Sequence, residues 1–473
     1  MALTATVLMA PTAFGQAFLV EPSPNHAPGD SATFNILRGV GAVAPNDAWA
    51  VGQWYDPPTQ PFQAGTARTL AMHWDGEAWT IVPTPDPVQG GNGLWDVEAI
   101  APDLAWAAGN KGGNGARPLM LRWDGTSWTE FALPPLGSGI FSGTGTLLDM
   151  HALNGGDIWA VGTAGNWGIE NPGYASFVPI AFHWNGSSWT LTVPPFVTDY
   201  RHDIAAVHAS AANNVWAVGS WGESRGKYRP LVYRWDGTSW HVMPAPFNQN
   251  PFMPLHSVAV LSPTDVWVTA DRFDGVAGPV TAHWDGTSWT EHLNPGGTGA
   301  LIAVAPNDVF GFGANVTHWD GTSWTVFDDL GGVPSASLHA SELTTDGDMW
   351  AVGRFIPGTE IQTLTVRADE LRPPGATSTA PSPVAASGAR LTGPVPSPVR
   401  DHARVTLEVT EPGPVSVAVY DALGRQVALV YDGPLTAGAH DLQVNAAALP
   451  AGVYVVRAVG VGFVASVRTV VAR

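Results

Sequence analysis

The sequence contains no cysteine and only two lysines, Lys111 and Lys227, among its 473 residues. The absence of cysteine excludes disulfides, thiolate zinc sites and iron–sulfur centres. With a formal net charge of −19, the chain has no basic patch for phosphates, so we expect neither nucleic acid nor an anionic membrane surface as a partner. No internal segment reaches the roughly 18 apolar residues of a transmembrane helix, and we expect no transmembrane segment.

Tryptophan, in contrast, is abundant: 18 of the 22 tryptophans lie in two phrases that alternate along the first 360 residues. The first phrase resembles Asp-Val-Trp-Ala-Val-Gly and recurs seven times, at intervals that range from 57 down to 40 residues. Its aromatic residues are Trp49, Trp106, Trp159, Trp216, Trp267, Phe310 and Trp350. The second phrase, His-Trp-Asp-Gly-Thr-Ser-Trp-Thr, recurs six times, with the pairs Trp74/Trp79, Trp123/Trp128, Trp184/Trp189, Trp235/Trp240, Trp284/Trp289 and Trp319/Trp324.

Each repeat predicts four antiparallel strands and shows no helical periodicity. In the unit at 255–292 the predicted strands are Leu255–Leu261, Asp265–Thr269, Val280–Trp284 and a fourth that starts at Trp289. A repeat of about 40–50 residues with four strands is typical of a propeller blade. The sequence therefore predicts an all-β fold, a seven-bladed β-propeller over residues 18–370.

The last repeat lacks its Trp-Asp-Gly hairpin and therefore a fourth strand. The segment that begins Phe18-Leu19-Val20 resembles the fourth strands that begin at Trp79 and Trp240. We expect this N-terminal segment to complete the last blade and close the ring.

The residues before that segment have the character of an export signal. Ala2 to Phe14 is mostly apolar, and Gly15 and Ala17 occupy the −3 and −1 positions of a cleavage site after Ala17. Residues 1–17 are therefore interpreted as the remnant of a signal peptide without its basic start. The alternative is an N-terminal arm that packs on the domain or stays disordered.

Composition changes after residue 370. Residues 371–394 are rich in Pro, Ala, Ser, Thr and Gly, which indicates a linker. Strands with alternating apolar residues then return, for example Val405, Leu407 and Val409. Residues 395–473 are predicted to form a small immunoglobulin-like β-sandwich.

The motifs of this last segment resemble the type A sorting domain of the type IX secretion system. They are Pro396-Ser397-Pro398, then Tyr420-Asp421-Ala422-Leu423-Gly424-Arg425, then Leu449-Pro450-Ala451-Gly452-Val453-Tyr454, then the basic Arg468 and Arg473. The family usually has Pro-Asn-Pro and a terminal lysine instead. The resemblance implies that the chain crosses the outer membrane through the type IX secretion machinery and is secreted or attached to the cell surface. The alternative is an ordinary accessory sandwich domain.

The repeated polar residues suit structure better than chemistry. The Asp of Trp-Asp-Gly is replaced by Asn185 in the third unit, which preserves a turn and argues against a metal or catalytic carboxylate. The histidine before each Trp-Asp-Gly alternates with arginine, as at Arg122 and Arg234, and arginine cannot replace a metal ligand. Hydrolase, phosphate-loop and metalloprotease motifs are missing. We therefore expect no catalytic residue, metal or cofactor, although loop carboxylates from different blades could still meet.

Four tryptophans outside the repeats point to a candidate ligand site on the face with the variable loops. Trp54, Trp167 and Trp221 are predicted in the loops between the second and third strands, and Trp95 near a connection between blades. With neighbouring aromatic and basic residues, the predicted site comprises Trp54, Tyr55, Trp95, Trp167, Tyr174, Trp221, Arg225, Lys227 and Tyr228. Such aromatic platforms suit sugar rings or a protein partner. Alternatively, these aromatics merely anchor long loops.

Together these features predict an exported, non-enzymatic propeller that binds a glycan or a protein partner at the cell surface. Two alternatives stay open at this point. One is a hydrolase or lyase that acts on polysaccharides through loop carboxylates, and the other is a structural surface protein without a discrete ligand.

Overall fold

The computed structural model describes residues 18–368 and 389–471, apart from gaps at 27–33, 56–65, 88–89, 114–115, 137–143, 167–175, 198–200, 225–226, 248–251, 272–279, 297–298, 329, 331–332, 334, 345–346, 357–360, 396–398, 410–411, 422–425, 448, 450–451 and 461–462. The predicted signal peptide, most of the predicted linker, and Trp167, Tyr174 and Arg225 lie outside the described residues. Two compact units divide the chain, Met1–Leu371 and Arg372–Arg473.

The described part of the first unit is built from seven four-stranded antiparallel sheets, numbered here in chain order. Sheet 1 consists of β2 (Asn35–Ala44), β3 (Asp47–Tyr55), β4 (Ala67–Trp74) and β5 (Trp79–Ile81). Sheet 2 consists of β6 (Asn92–Ala101), β7 (Leu104–Lys111), β8 (Arg117–Trp123) and β9 (Trp128–Glu130). Sheet 3 consists of β10 (Thr144–Asn154), β11 (Asp157–Asn166), β12 (Ser176–Trp184) and β13 (Trp189–Thr192). Sheet 4 consists of β14 (His202–Ala211), β15 (Asn214–Ser224), β16 (Lys227–Trp235) and β17 (Trp240–Val242). Sheet 5 consists of β18 (Leu255–Ser262), β19 (Asp265–Ala270), β20 (Val280–Trp284) and β21 (Trp289–Leu293). Sheet 6 consists of β22 (Ala300–Ala305), β23 (Asp308–Phe312), β24 (Val316–Trp319) and β25 (Trp324–Asp328). Sheet 7 consists of β26 (Ser337–Leu343), β27 (Met349–Phe355), β28 (Gln362–Ala368) and β1 (Leu19–Glu21).

The sheets follow one another around a ring. First strands of successive sheets contact each other, and β2 of sheet 1 contacts β26 and β27 of sheet 7. This cyclic arrangement of four-stranded sheets is a β-propeller, with the first strands around the central channel. The strands predicted for the unit at 255–292 match sheet 5 to within one residue at each end.

Tryptophans of the two phrases form the seams between sheets. The second-strand aromatic of one sheet packs against both hairpin tryptophans of the next: Trp49 lies 4.8 Å from Trp123 and 5.0 Å from Trp128, between ring centroids. Trp350 of sheet 7 makes the same contacts with Trp74 and Trp79 of sheet 1. The tryptophans of the first phrase are at most 1% exposed. Burial of each indole contributes about 2–3 kcal/mol, so these seams stabilise the ring.

The N-terminal segment closes the last sheet, as the sequence predicts. Leu19 pairs with Arg367 in sheet 7, as Thr80 pairs with His73 in sheet 1. Phe18 therefore falls at the register position of Trp79, and like Trp79 it is buried.

The second unit contains two antiparallel sheets with a shared core. One sheet comprises β29 (Ala389–Val395), β30 (His402–Val409) and β33 (Gly438–Asn445). The other comprises β31 (Gly413–Asp421), β32 (Gln426–Leu435), β34 (Gly452–Gly460) and β35 (Phe463–Val471). The apolar residues of β30 and β31 that alternate in the sequence are buried in this core. Residues 389–394, expected in the linker, instead form most of β29, because their backbone pairs with β30.

Candidate functional site

A bulge recurs near the start of the first strand and sets which side chains face the channel. It occurs in six of the seven sheets, those other than sheet 6. A bulge leaves one residue unpaired and re-aims the side chains around it. The unpaired residues are Arg38, Trp95, Leu148, Ala205, His256 and His339. All six line the cavity at the centre of the ring.

A bowl of about 900 Å³ lies over sheets 2 to 5. Its wall includes Thr144 at the start of β10, Gly165 near the end of β11 and Phe177 near the start of β12. The bowl therefore occupies the face where first strands begin and second strands end, which is the face with the variable loops. It shares Trp95, Leu148, Ala205 and His256 with the channel cavity below it.

An ion pair between aromatic rings forms one wall of the bowl. Arg201 Nε lies 2.5 Å from Asp203 Oδ2. The Arg201 guanidinium lies 4.3 Å from the ring centroid of Phe177 and 5.7 Å from that of Tyr228. Burial raises the pKa of Asp203, while Arg201 and Thr163 act in the opposite direction. The wall thus offers hydrogen-bond donors and acceptors beside an apolar ring face.

Trp95 lies at the junction of bowl and channel. Its indole Nε1 donates to Asn110 Oδ1 at 2.8 Å, and the Arg38 guanidinium lies 4.9 Å from its ring centroid. These two contacts hold the ring in place while it lines both cavities.

The channel cavity has a volume of about 160 Å³ and is lined by four carboxylic residues: Asp96, Glu98, Asp149 and Glu342. Two of them join neighbouring sheets. Asp96 Oδ2 accepts the Met150 N–H at 2.8 Å, and Asp149 Oδ2 accepts the Val207 N–H at 2.6 Å. Each bond runs from one first strand to the next. These two carboxyl groups therefore link neighbouring sheets of the propeller and have a structural role.

Burial dominates the electrostatics of the channel. It raises the pKa of Asp96 to about 7 and that of Glu342 to about 8. It also raises the pKa values of Glu98 and Asp149, and neighbouring carboxylates add to both effects. Protonated forms of these side chains therefore persist to a higher pH than they would in water.

Two histidines lie beside these carboxylic residues. His151 and His208 stack with 4.1 Å between ring centroids. His151 Nδ1 lies 3.8 Å from Glu98 Oε1, and its Nε2 lies 3.1 Å from the Ala209 carbonyl oxygen. Burial lowers the pKa of His151 to about 4 and lowers that of His208 as well. Within the described ranges, no three His, Asp or Glu side chains are placed to hold a metal ion.

The described members of the sequence-predicted site lie in three different sheets, sheets 1, 2 and 4. Trp95 lines the bowl, and Tyr228 flanks it through Arg201. Trp54 stacks on His26 at 4.3 Å, and Tyr55 packs edge-on against Phe34, both in sheet 1. Trp221 lies 5.8 Å from the Arg229 guanidinium, and Lys227 is exposed at the start of β16.

The predicted loop positions of Trp54 and Trp221 are wrong, because both residues lie on second strands. Trp54 pairs with Asn35 and Arg68, and Trp221 pairs with His202 and Arg229. Second strands extend this far because each first strand begins several residues before its bulge, and these early residues pair with the end of the second strand.

Sequence reasoning missed Phe177, Arg201 and Asp203 in the bowl, and the titratable residues of the channel. A signal did exist for the channel, since Asp96/Glu98 and Asp149/His151 are polar pairs two residues apart on first strands. Alternation of this kind places both members of a pair on one face of a strand.

The repeated Asp and His residues have structural contacts, as the sequence indicates. Asp285 Oδ1 accepts the N–H groups of Thr287 and Ser288, both at 2.8 Å, and Asn185 does the same in sheet 3. Gly286 follows Asp285 with φ +95°. The histidines before Trp-Asp-Gly bond to a different set of aspartates, those of the first phrase, which begin the second strands. His73 Nε2 lies 2.8 Å from Asp47 Oδ1, and sheets 3, 5 and 6 repeat this pair.

Comparison with known proteins identifies the C-terminal unit. Residues 395–471 match the family described as "Secretion system C-terminal sorting domain". They are the sorting domain of a type IX secretion substrate, and the protein is secreted or located at the cell surface. A search of curated proteins found no match to the chain. No helix in the described ranges has the length and hydropathy needed to cross a bilayer.

Several solved structures share a loose likeness with the chain. PorZ, a surface component of the type IX secretion system of Porphyromonas gingivalis, is 13% identical with a TM-score of 0.26, over 92% of this chain and 81% of PorZ. The six-bladed fucose lectin of Aleuria aurantia is 12% identical with a TM-score of 0.39, over 76% and 100% of the two chains. The α-L-arabinanase of Penicillium chrysogenum is 11% identical with a TM-score of 0.38, over 75% and 97%. Likeness at this level carries no argument about a ligand.

Proposed function

We propose that the protein is an exported, non-enzymatic seven-bladed β-propeller that binds a glycan at the cell surface through the bowl over sheets 2 to 5. An immunoglobulin-like sorting domain at residues 395–473 delivers it. The seven sheets that contact each other cyclically support the blade number. The two-sheet core of the second unit supports an immunoglobulin-like sandwich.

The shape and lining of the bowl carry the proposal. A cavity of about 900 Å³ has the size of a small-molecule site, whereas protein partners usually dock on flatter surfaces. Trp95 and Phe177 provide apolar ring faces, and the Arg201–Asp203 pair lies beside them. A sugar has one apolar C–H face and a rim of hydroxyl groups, which matches an aromatic ring next to paired donors and acceptors.

The distribution of carboxylates favours binding over hydrolysis. Glycoside hydrolysis usually requires two carboxyl groups about 5–9.5 Å apart that flank the bond. Among the described residues that line the bowl, Asp203 is the single carboxylate, and Arg201 pairs with it. In the channel, Asp96 and Asp149 bond to the backbone of the next sheet.

A glycan array with the chain from Phe18 to Arg473 tests the proposal. We expect binding to a defined set of glycans without release of reducing or unsaturated sugar ends. Trp95→Ala should weaken that binding at least about tenfold, because an aromatic anchor of a site contributes more than 1 kcal/mol. Leu293→Ala is the matched control, since Leu293 is 70% exposed on β21 outside the bowl.

Other outcomes separate the alternatives. Release of new sugar ends would identify a hydrolase or lyase. Binding only to a surface protein, again weakened by Trp95→Ala, would mean that the bowl is the binding site and that its ligand is a protein and not a glycan. Binding that depends on Trp54 and Trp221 and not on Trp95 would move the site to the other sequence-predicted residues.

A further inference from the structure

Phe18 is a core residue at the closing point of the ring. Its side chain is 0% exposed and packs edge-on against Phe312 and Phe327, with 5.9 and 6.4 Å between ring centroids. It occupies the register position that Trp79 fills in sheet 1. Removal of Phe18 would therefore leave a cavity between sheets 6 and 7.

The backbone nitrogen of Phe18 meets a buried carboxylate. It donates to Asp328 Oδ2 at 2.9 Å, and Asp328 is 6% exposed. The other oxygen, Asp328 Oδ1, accepts the Leu330 N–H at 2.7 Å. Asp328 is the last residue of β25 in sheet 6, whereas Phe18 leads into β1 of sheet 7, so the contact crosses the seam between the last two sheets.

The sequence places a cleavage site at the bond before this nitrogen, since Gly15 and Ala17 have the spacing that a signal peptidase accepts. We propose that cleavage after Ala17 converts the Phe18 nitrogen into an α-ammonium group, and that the ion pair of this group with Asp328 fastens sheet 7 to sheet 6. The inference is independent of any ligand in the bowl.

The chemical step is a hydrolysis by a signal peptidase. Water breaks the C–N bond between Ala17 and Phe18; its oxygen stays on the Ala17 carbonyl carbon, which becomes the carboxylate of the leader. The Phe18 nitrogen takes up both protons of that water and becomes an ammonium with three N–H donors. The hydrogen bond from a neutral amide to the Asp328 carboxylate thereby becomes a buried ion pair in which donor and acceptor are both charged, and such a contact is stronger.

The position of the cut is narrowly constrained. A cut one residue later would remove Phe18 from the core. A cut one residue earlier would leave the Phe18 nitrogen as a neutral amide and place the charge about 3.8 Å further along the chain. Only the cut after Ala17 keeps the Phe18 side chain in the core and also places the new positive charge beside Asp328.

Mass spectrometry and N-terminal sequencing of the protein exported by its native host give the first test. We expect the chain to begin at Phe18. Any other first residue would overturn the proposal.

Thermal unfolding gives the second test. The chain from Phe18 to Arg473, released from a fusion without extra residues, is compared with the same chain extended by Ala17. We expect a lower Tm for the extended chain, with an unfolding equilibrium constant about tenfold larger, because its Phe18 N–H still donates to Asp328 but no longer carries a charge. Nα-acetylation of the Phe18 chain, which removes the charge and changes no side chain, should lower the Tm similarly.

Asp328→Asn in both chains completes a double-mutant cycle, because asparagine can still accept the Leu330 N–H but carries no charge. We expect the variant to remove most of the difference between the two chains. Asp265→Asn, another buried carboxylate in the distant sheet 5, should lower the Tm of both chains equally. Equal Tm values for the free, extended and acetylated forms, or an equal cost of Asp328→Asn in both chains, would overturn the proposal.

Discussion

Arg201 and Asp203 form an ion pair with 2.5 Å between Nε and Oδ2, and Phe177 lies against one side of the guanidinium. The pair places a planar donor group in the wall of the bowl, where sugar hydroxyl groups would approach. Arginine presents several N–H groups in one plane, and lysine cannot reproduce that geometry.

We therefore expect Arg201→Lys to weaken glycan binding nearly as much as Arg201→Ala, by about tenfold or more. The variants should unfold at nearly the same temperature as the wild type, because the Arg201 side chain is 42% exposed. Titration calorimetry with the glycan found on the array measures the affinity. Full affinity in Arg201→Lys would mean that only the charge matters.

The channel carboxyl groups predict how stability changes with pH. In the folded state the pKa of Asp96 is about 7 and that of Glu342 about 8, above their unfolded values of 3.8 and 4.5. For each group, the folded state binds more protons than the unfolded state at any pH between its unfolded and its folded pKa. The free energy of unfolding therefore falls as the pH rises through that interval. His151, with a folded pKa of about 4 against 6.5, has the opposite effect below pH 6.5.

Between pH 6.5 and 8 the carboxyl effect therefore acts without the histidine effect. Glu342→Gln should reduce the loss of stability over this interval by up to about 2 kcal/mol, since each pH unit corresponds to about 1.4 kcal/mol per group. Urea unfolding at the two pH values measures it. Parallel pH profiles for wild type and variant would contradict the prediction.

The tryptophan seams predict a graded response to substitution. Trp267 lies 5.4 Å from Trp319 and 5.9 Å from Trp324, and is 1% exposed. Trp267→Ala should cost about 3–5 kcal/mol of unfolding free energy. Trp267→Phe should cost less than half as much, because Phe310 fills the same position in sheet 6. Denaturant unfolding checks both, and equal losses would show that ring size at the seam is decisive.

The hairpin turns predict that charge is dispensable at the Asp of Trp-Asp-Gly. Asp285→Asn should leave the Tm nearly unchanged, since Asn185 makes the same two backbone contacts in sheet 3. Asp285→Ala should lower the Tm, because Thr287 and Ser288 then lose their acceptor. Calorimetry compares the two variants. A loss in Asp285→Asn as large as that in Asp285→Ala would indicate a role for the charge.

Much of the fold could be predicted from sequence, because each phrase marks a fixed place in a sheet. The first phrase is the second strand, with its indole in the seam, and the second phrase is the hairpin of the outer two strands. The missing hairpin after Trp350 and the likeness of Phe18-Leu19-Val20 to a fourth strand predicted the closure that β1 and β28 form.

The candidate site was less predictable, because first strands carry no repeated phrase. Trp95 and Asp96 are neighbours in sequence, yet a bulge allows both to line the channel cavity, against simple alternation. Arg201 lies before β14 and Phe177 in β12, so their contact depends on how sheets 3 and 4 pack. Identification of this contact needs coordinates.

The pairing of Leu19–Glu21 with Gln362–Ala368 has a kinetic consequence. The last sheet joins segments more than 340 residues apart, so it can form only after nearly the whole domain has emerged from the ribosome or the translocation pore. A large loop adds little to the equilibrium cost of closure, since each doubling of length costs about 0.6 kcal/mol. Such distant pairing is nevertheless slow to form. During that delay the edge of β28 and the pocket for Phe18 stay open, and this is the interval in which the domain is most exposed to misassembly and proteolysis.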